Sequence, residues 1–196
     1  MTPANGVTLA RVAFTPVLLA VIVGSGASYP ALAMWIVLAA TDGIDGYLAR
    51  RHGTTRSGAF LDPLADKLLV LGAMVALVAR GTFWWFPVAL IALRELAMSA
   101  YRSWVGRRGV SIPARRSAKV KTVVQEVAVG LALAPVVVDG EVWLASAVLW
   151  LAVALTLVTG LQYLSDGAGA RAGDQAGDRA GDQAGASSAG AGAGAG

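Results

Sequence analysis

Four aspartates, Asp42, Asp45, Asp62 and Asp66, fall in one stretch, DGIDGYLARRHGTTRSGAFLDPLADK (42–67), between two apolar runs. Asp42 and Asp45 lie three apart, so on a helix they share a face, with Ala49 and Arg50 about one turn further on. Asp62 and Asp66 lie four apart and share a face in the same way, with Gly58 one turn back. The short connection RHGTTRS makes the two segments antiparallel neighbours, so all four carboxylates can converge. Even one aspartate at a membrane helix centre costs roughly 2.5 to 3.5 kcal/mol, so gathering four demands positive charge. Hard divalent cations take oxygen ligands, and two ions roughly 3.5 to 4 Å apart are the arrangement used for phosphoryl displacement. Magnesium or manganese suits this donor set better than zinc, because the chain has no cysteine and a single histidine, His52. Plainer readings exist for parts of the set. Asp62 with Pro63 can open a helix as N-cap and first residue, and Asp42 or Asp45 can pair with Arg50 or Arg51. Neither accounts for all four at these spacings.

The elements that must hold these residues are membrane-like. Of 196 residues 56% are hydrophobic and 14% charged, the balance of an integral membrane protein. The N-terminus lacks a basic region before its apolar stretch, and Arg11 lies inside that stretch, so the segment reads as a retained helix. A helix crosses about 30 Å of hydrocarbon with about 20 apolar residues. Six segments qualify, at about 6–25, 30–50, 58–80, 84–105, 116–138 and 142–164, with short connections marked by Gly, Ser or Pro. The predicted fold is therefore an all-α bundle of six transmembrane helices over residues 1–164. Basic residues crowd the second-to-third and fourth-to-fifth connections: Arg50, Arg51 and Arg56 at one, Arg102, Arg107, Arg108, Arg115, Arg116, Lys119 and Lys121 at the other. The positive-inside rule then puts these loops, the carboxylates and both termini on the cytoplasmic side of a plasma-membrane protein. Residues 165–196 repeat AGDQ and AGDR and decay into Ala-Gly; without apolar side chains to offset ordering entropy, this tail is expected to be disordered.

The pattern D-x-x-D-G-x-x-A-R, seven residues, then G-x-x-x-D-x-x-x-D resembles the signature of the CDP-alcohol phosphatidyltransferases. Asp42, Asp45, Gly46, Ala49, Arg50, Gly58, Asp62 and Asp66 occupy its defined positions. The gap before Gly58 is one shorter than the usual eight and falls in the connecting loop. The resemblance implies six transmembrane helices, a homodimer, a requirement for two Mg2+ or Mn2+ ions, and transfer of a phosphate-linked group from a CDP-linked donor to an alcohol with release of CMP. Carried over by position, Asp42, Asp45 and Asp62 would ligate metal, and Asp66 would ligate the second ion and act as general base. Asp45, Gly46, Ala49, Arg50 and Gly58 would bind the CDP donor, helped by Thr55 and by the N-terminal Asn5 to Thr8.

Outside the signature, NGVTLARVAFTP, LRELAMSAYRSW and AKVKTVVQ resemble segments of the phosphatidylglycerophosphate synthases within this family. This implies CDP-diacylglycerol and sn-glycerol 3-phosphate as substrates, at a lipid bilayer, with no nucleic acid among the partners. A phosphorylated acceptor suits the residues. Arg94 and Arg102 lie eight apart on one segment, and Lys119 and Lys121 open the next, so together they can form a cationic pocket for a phosphate dianion. Arg94 could instead pair with Glu95 or Glu126. Other readings are a phosphatidylinositol phosphate synthase, which also takes a phosphorylated acceptor, a membrane prenyltransferase, and a divalent-cation transporter. The prenyltransferase would show a second aspartate cluster on distant helices, and the transporter would spread carboxylates along a pathway through the membrane.

Overall fold

In the computed structural model of the chain the backbone is described for residues 3–52, 58–106 and 116–161, and side chains for 6–41, 64–101, 103–104 and 120–161. Among these residues the chain is all-helical: α1 (Pro3–Ser25), α2 (Tyr29–His52), α3 (Gly58–Ala79), α4 (Trp85–Gly106), α5 (Arg116–Leu133), α6 (Pro135–Gly140) and α7 (Val142–Leu161). The segment 165–196, expected as a disordered tail, lies outside the described residues. The chain divides into two units, Met1–Thr156 and Leu157–Gly196. The described part of the second, Leu157 to Leu161, is helix.

Helix boundaries follow local chemistry. Gly26 ends α1 at φ 67°, a left-handed conformation that a side chain disfavours, and its N–H donates to Ile22 O at 2.9 Å. Gly81, at φ 74°, serves the turn after α3, where Thr82 and Phe83 both return N–H groups to Leu77 O. The fifth expected segment, 116–138, is not one helix. Pro135 has no N–H to continue the ladder and pushes Ala134 into an extended conformation (φ −77°, ψ 114°), so α5 stops at Leu133 and α6 is a separate short piece.

Packing directions can be read from side-chain contacts. A Cβ on Gly72 of α3 would stand 3.1 Å from Leu19 of α1, and Arg80 at the end of α3 donates to Val23 O near the end of α1, so α1 and α3 run parallel. The turn Arg80–Trp84 brings α4 back antiparallel to α3. Trp35 of α2 donates its indole N–H to Glu126 O of α5 at 3.2 Å, and Gln125 of α5 donates to the Thr156 hydroxyl of α7 at 3.1 Å.

The buried stripes of α1, α5 and α7 change character along the helix, and that of α4 carries one charged residue, Glu95. On α1 the buried positions Thr8, Arg11, Thr15, Leu18 and Ile22 recur at three and four residues, polar first and apolar after. On α5 Lys121 and Gln125 precede Ala128, Val129, Ala132 and Leu133, whereas on α4 Val88 and Ile91 precede Glu95. On α7 Ala145, Leu149, Ala152 and Val153 precede Thr156. Because successive long helices along the chain alternate in direction, the polar residues collect at one end of the first unit, and Leu18, Ile22, Trp35, Met74, Leu77 and Ile91 belong to the apolar remainder.

The outer surface is also apolar. Phe14, Ile36, Val75, Leu93, Leu96 and Leu151 are all more than half exposed, a surface suited to association with a membrane. Among the described residues two helices, Gly6–Ser25 and Val142–Leu161, are long and apolar enough to cross one, and the described part of α2, Tyr29–Thr41, is also apolar. Of the six expected spans, two are matched by such helices among the described residues, and the fifth, 116–138, is broken at Pro135. Within their length α2 to α5 also carry Asp42, Asp45, Asp62, Asp66, Lys67, Arg94, Glu95, Lys121 and Glu126.

Replacing Gly26 by Ala should lower stability by about 1–2 kcal/mol, since it forces a side chain into the left-handed region. Gly24→Ala, at a helical position with open space around it, should be neutral or stabilising by about 0.5–1 kcal/mol. Thermal unfolding in detergent compares the two.

Candidate active site

Two helices carry the aspartates to the polar end from opposite directions. α2 continues to His52, which places Asp42, Asp45, Gly46, Ala49 and Arg50 on its final turns, and α3 starts at Gly58 with Asp62 and Asp66 on its first turns. Helical backbone through both stretches gives the one-face relation expected from the spacing. Since α3 begins at Gly58, Asp62 lies inside the helix and is not its N-cap. The side chains of Asp42, Asp45, Ala49, Arg50, Asp62, Arg102 and Lys119 lie outside the described residues, as do Thr55 and anything attached to Gly46 and Gly58. Among the described residues no group of three or more acidic or His side chains comes together.

Asp66 is described and half-buried. One residue on, Lys67 leaves α3 and crosses to α4, where its ammonium donates to the Ser99 hydroxyl and to Glu95 O at 3.2 Å, and stands 3.4 Å from Glu95 Oε2. The other carboxylate oxygen, Oε1, accepts from Arg94 Nη1 at 3.0 Å and from the Lys121 ammonium of α5. Ser99, one turn beyond Glu95, returns its own hydroxyl to Glu95 O at 2.8 Å. One carboxylate therefore joins cations from three helices. Glu95 is 8% exposed and Lys121 5%. The charge of Asp66 also acts on Lys121, together with those of Arg94 and Lys67. Among the described residues, Lys67, Arg94 and Lys121 thus gather around Glu95 with Asp66 close by.

Two of the four cations expected to hold a phosphate, Arg94 and Lys121, are thus brought together. Arg94 makes the pairing with Glu95 that the sequence left open. Lys67 and Ser99 were not singled out from sequence. The available signals were the position of Lys67 directly after Asp66 and the four-residue spacing of Glu95 and Ser99 on one helix face.

On α1, Thr8 and Arg11 are each 1% exposed. With Leu19 against Gly72 in parallel register, Arg11 stands about level with Leu64, between Asp62 and Asp66 along α3. Thr8, expected near the donor, is on the same buried stripe one turn earlier.

The family model for CDP-alcohol phosphatidyltransferases matches residues 1–158. The chain is 41% identical over 169 residues to a protein of Mycobacterium tuberculosis (strain H37Rv) named as a probable phosphatidylglycerophosphate synthase, covering 83% of this chain and 79% of the relative. It is 40% identical over 172 residues to a Salmonella choleraesuis protein named CDP-diacylglycerol–glycerol-3-phosphate 3-phosphatidyltransferase, covering 83% of this chain and 92% of that one. A protein of the same name from Escherichia coli K12 is 41% identical over 145 residues, 70% of this chain and 78% of its own length.

Removing the shared anion should cost more than removing one of its cations. Glu95→Leu leaves buried Lys121 and half-buried Arg94 and Lys67 in mutual repulsion and should destabilise the protein by about 2–4 kcal/mol. Lys121→Met leaves Glu95 with two partners and should cost clearly less, so the order of the two unfolding midpoints in detergent checks the arrangement.

Proposed function

The chain belongs to the CDP-alcohol phosphatidyltransferase family, and on that premise we propose that it transfers the phosphatidyl group of CDP-diacylglycerol to sn-glycerol 3-phosphate, giving phosphatidylglycerol phosphate and CMP. It is an enzyme of phospholipid biosynthesis. The acceptor is carried by one observation, the high identity to relatives whose names specify glycerol 3-phosphate, extending well beyond the aspartate signature into α4 and α5.

The division of labour follows from the chemistry of the side chains. Asp42, Asp45, Asp62 and Asp66 form an all-oxygen, hard donor set on two helices, which fits two Mg2+ or Mn2+ ions; when bound, these supply charge neutralisation at the diphosphate. Asp66 takes the proton of the acceptor's attacking hydroxyl, a role that its half-buried position beside the cationic cluster supports. Arg50 offers a forked contact to a donor phosphate, and Gly46 and Gly58 allow close approach, with Ala49, Thr55 and Thr8 completing the nucleotide side. Arg94, Arg102, Lys119 and Lys121 receive the phosphate of the acceptor; the convergence of Arg94 and Lys121 on one carboxylate supports this reading.

The same proposal sets the protein in the plasma membrane as a homodimer, crossing it six times over residues 1–164, with the carboxylates and both termini cytoplasmic and the tail 165–196 outside the membrane domain. The apolar outer surface, the clustering of buried polar groups at one end and the aromatic group of Trp84, Trp85, Phe86 and Trp150 in the other half support it.

Purified protein given CDP-diacylglycerol should release CMP with glycerol 3-phosphate and not with inositol 3-phosphate; selective turnover of the inositol substrate would replace the acceptor assigned above. Asp66→Asn should lower kcat by about 10²–10⁴-fold while the thermal midpoint stays close to wild type. Chelation with EDTA should abolish CMP release, and added Mg2+ or Mn2+ should restore it.

A further inference from the structure

Glu95 is an anion at the centre of what is read above as a pocket for an anion. Simple summation of charge makes it a handicap: its removal would raise the positive potential and should tighten binding of a phosphate dianion. The contacts argue otherwise. Its two carboxylate oxygens are divided, Oε1 to Arg94 and Lys121 and Oε2 towards Lys67, so that cations from α3, α4 and α5 are held on one group. The helical turn that carries Glu95 is engaged as well. Lys67 bonds to the backbone carbonyl of Glu95 as well as to Ser99, and Ser99 bonds to that same carbonyl. Long cationic side chains carry about 2 kcal/mol of rotamer entropy each, and like charges repel, so Arg94 and Lys121 would not stay adjacent in a buried site without an anion between them.

We propose that Glu95 is a positioning residue for acceptor recognition: it presets Arg94 and Lys121, and through Lys67 ties their geometry to the helix that carries Asp66. This rests on the reading of Arg94 and Lys121 as the acceptor-phosphate contacts. The proposal also assigns Lys67 a function. It is the strut between the turn that bears Asp66 and the turn that bears Glu95, so the acceptor's phosphate and its attacking hydroxyl are referred to one rigid frame. A short acceptor that carries a phosphate and a hydroxyl is then selected by the separation between the two.

The test is the sign of one kinetic change. Glu95→Gln keeps the shape and removes the charge. A positioning role predicts a rise in the acceptor KM of about tenfold or more, with the KM for CDP-diacylglycerol within about twofold of wild type. Glu95→Asp, which keeps the charge on a shorter stem, should fall between the two. An acceptor KM that is unchanged or lowered in Glu95→Gln overturns the proposal, as does an equal rise in both KM values. If Glu95→Gln does not give monodisperse protein in detergent, Lys67→Met carries the test, with a rise in acceptor KM alone supporting the strut and an unchanged value overturning it. The identity of the acceptor is tested separately. Should wild-type protein turn over inositol 3-phosphate in place of glycerol 3-phosphate, the acceptor assignment falls, and the same KM comparison with the inositol substrate still decides the role of Glu95.

Discussion

A carboxylate and three cations cannot be withdrawn from water one at a time, and Glu95 with Lys67, Arg94 and Lys121 shows what that constraint does to a bundle. Each group would be costly to bury alone, and each is tolerable only when its partners from the other helices are in place. The cluster therefore fixes α3, α4 and α5 relative to one another at one end, as Trp35 and its bond to Glu126 O fix α2 against α5. Apolar packing among Leu18, Ile22, Met74, Leu77 and Ile91 holds the rest, but it is tolerant of small slips where the ion cluster is not. The geometry of the polar end is specified more sharply than that of the apolar remainder.

This asymmetry suits a reaction whose substrates differ in kind. A diacylglycerol moiety belongs in hydrocarbon, and the outward faces of the helices offer apolar surface along their length. A diphosphate, a nucleotide and a phosphorylated alcohol belong at a charged boundary. The stripe on α1 illustrates the division within a single helix: Thr8, Arg11 and Thr15 occupy the same face as Leu18 and Ile22, and the change between them falls within about two turns. Arg11, buried on the same face, adds a positive charge about level with the α3 turns that carry Asp62 and Asp66.

Much of this could be read from the chain, and the reason differs between parts. The aspartate pairs were legible because helical spacing of three and four is a local property, and α2 and α3 do run through those residues. The helix count was nearly legible; it failed at Pro135, where a residue that reads as a mild interruption in an apolar run ends α5 outright. The Glu95 cluster was only half legible. Arg94 and Glu95 are sequence neighbours, so their pairing could be entertained. Lys67 and Lys121 reach Glu95 from 28 and 26 residues away, and nothing local in LDPLADKLL or AKVKTVVQ announces a shared partner.

The identity of that partner also alters what the basic residues of α4 and α5 mean. Counted in sequence, they are an excess of positive charge near one boundary, which serves topology and attraction to anionic lipid as well as it serves catalysis. Placed in three dimensions, Arg94 and Lys121 are withdrawn largely from the surface and share a carboxylate. A cation that only orients a chain in a membrane gains nothing from such a partner, since pairing weakens its attraction to lipid headgroups. A cation that must meet one phosphate in one orientation gains a defined direction. That difference separates a charge that only orients a chain from one held in place for a single ligand.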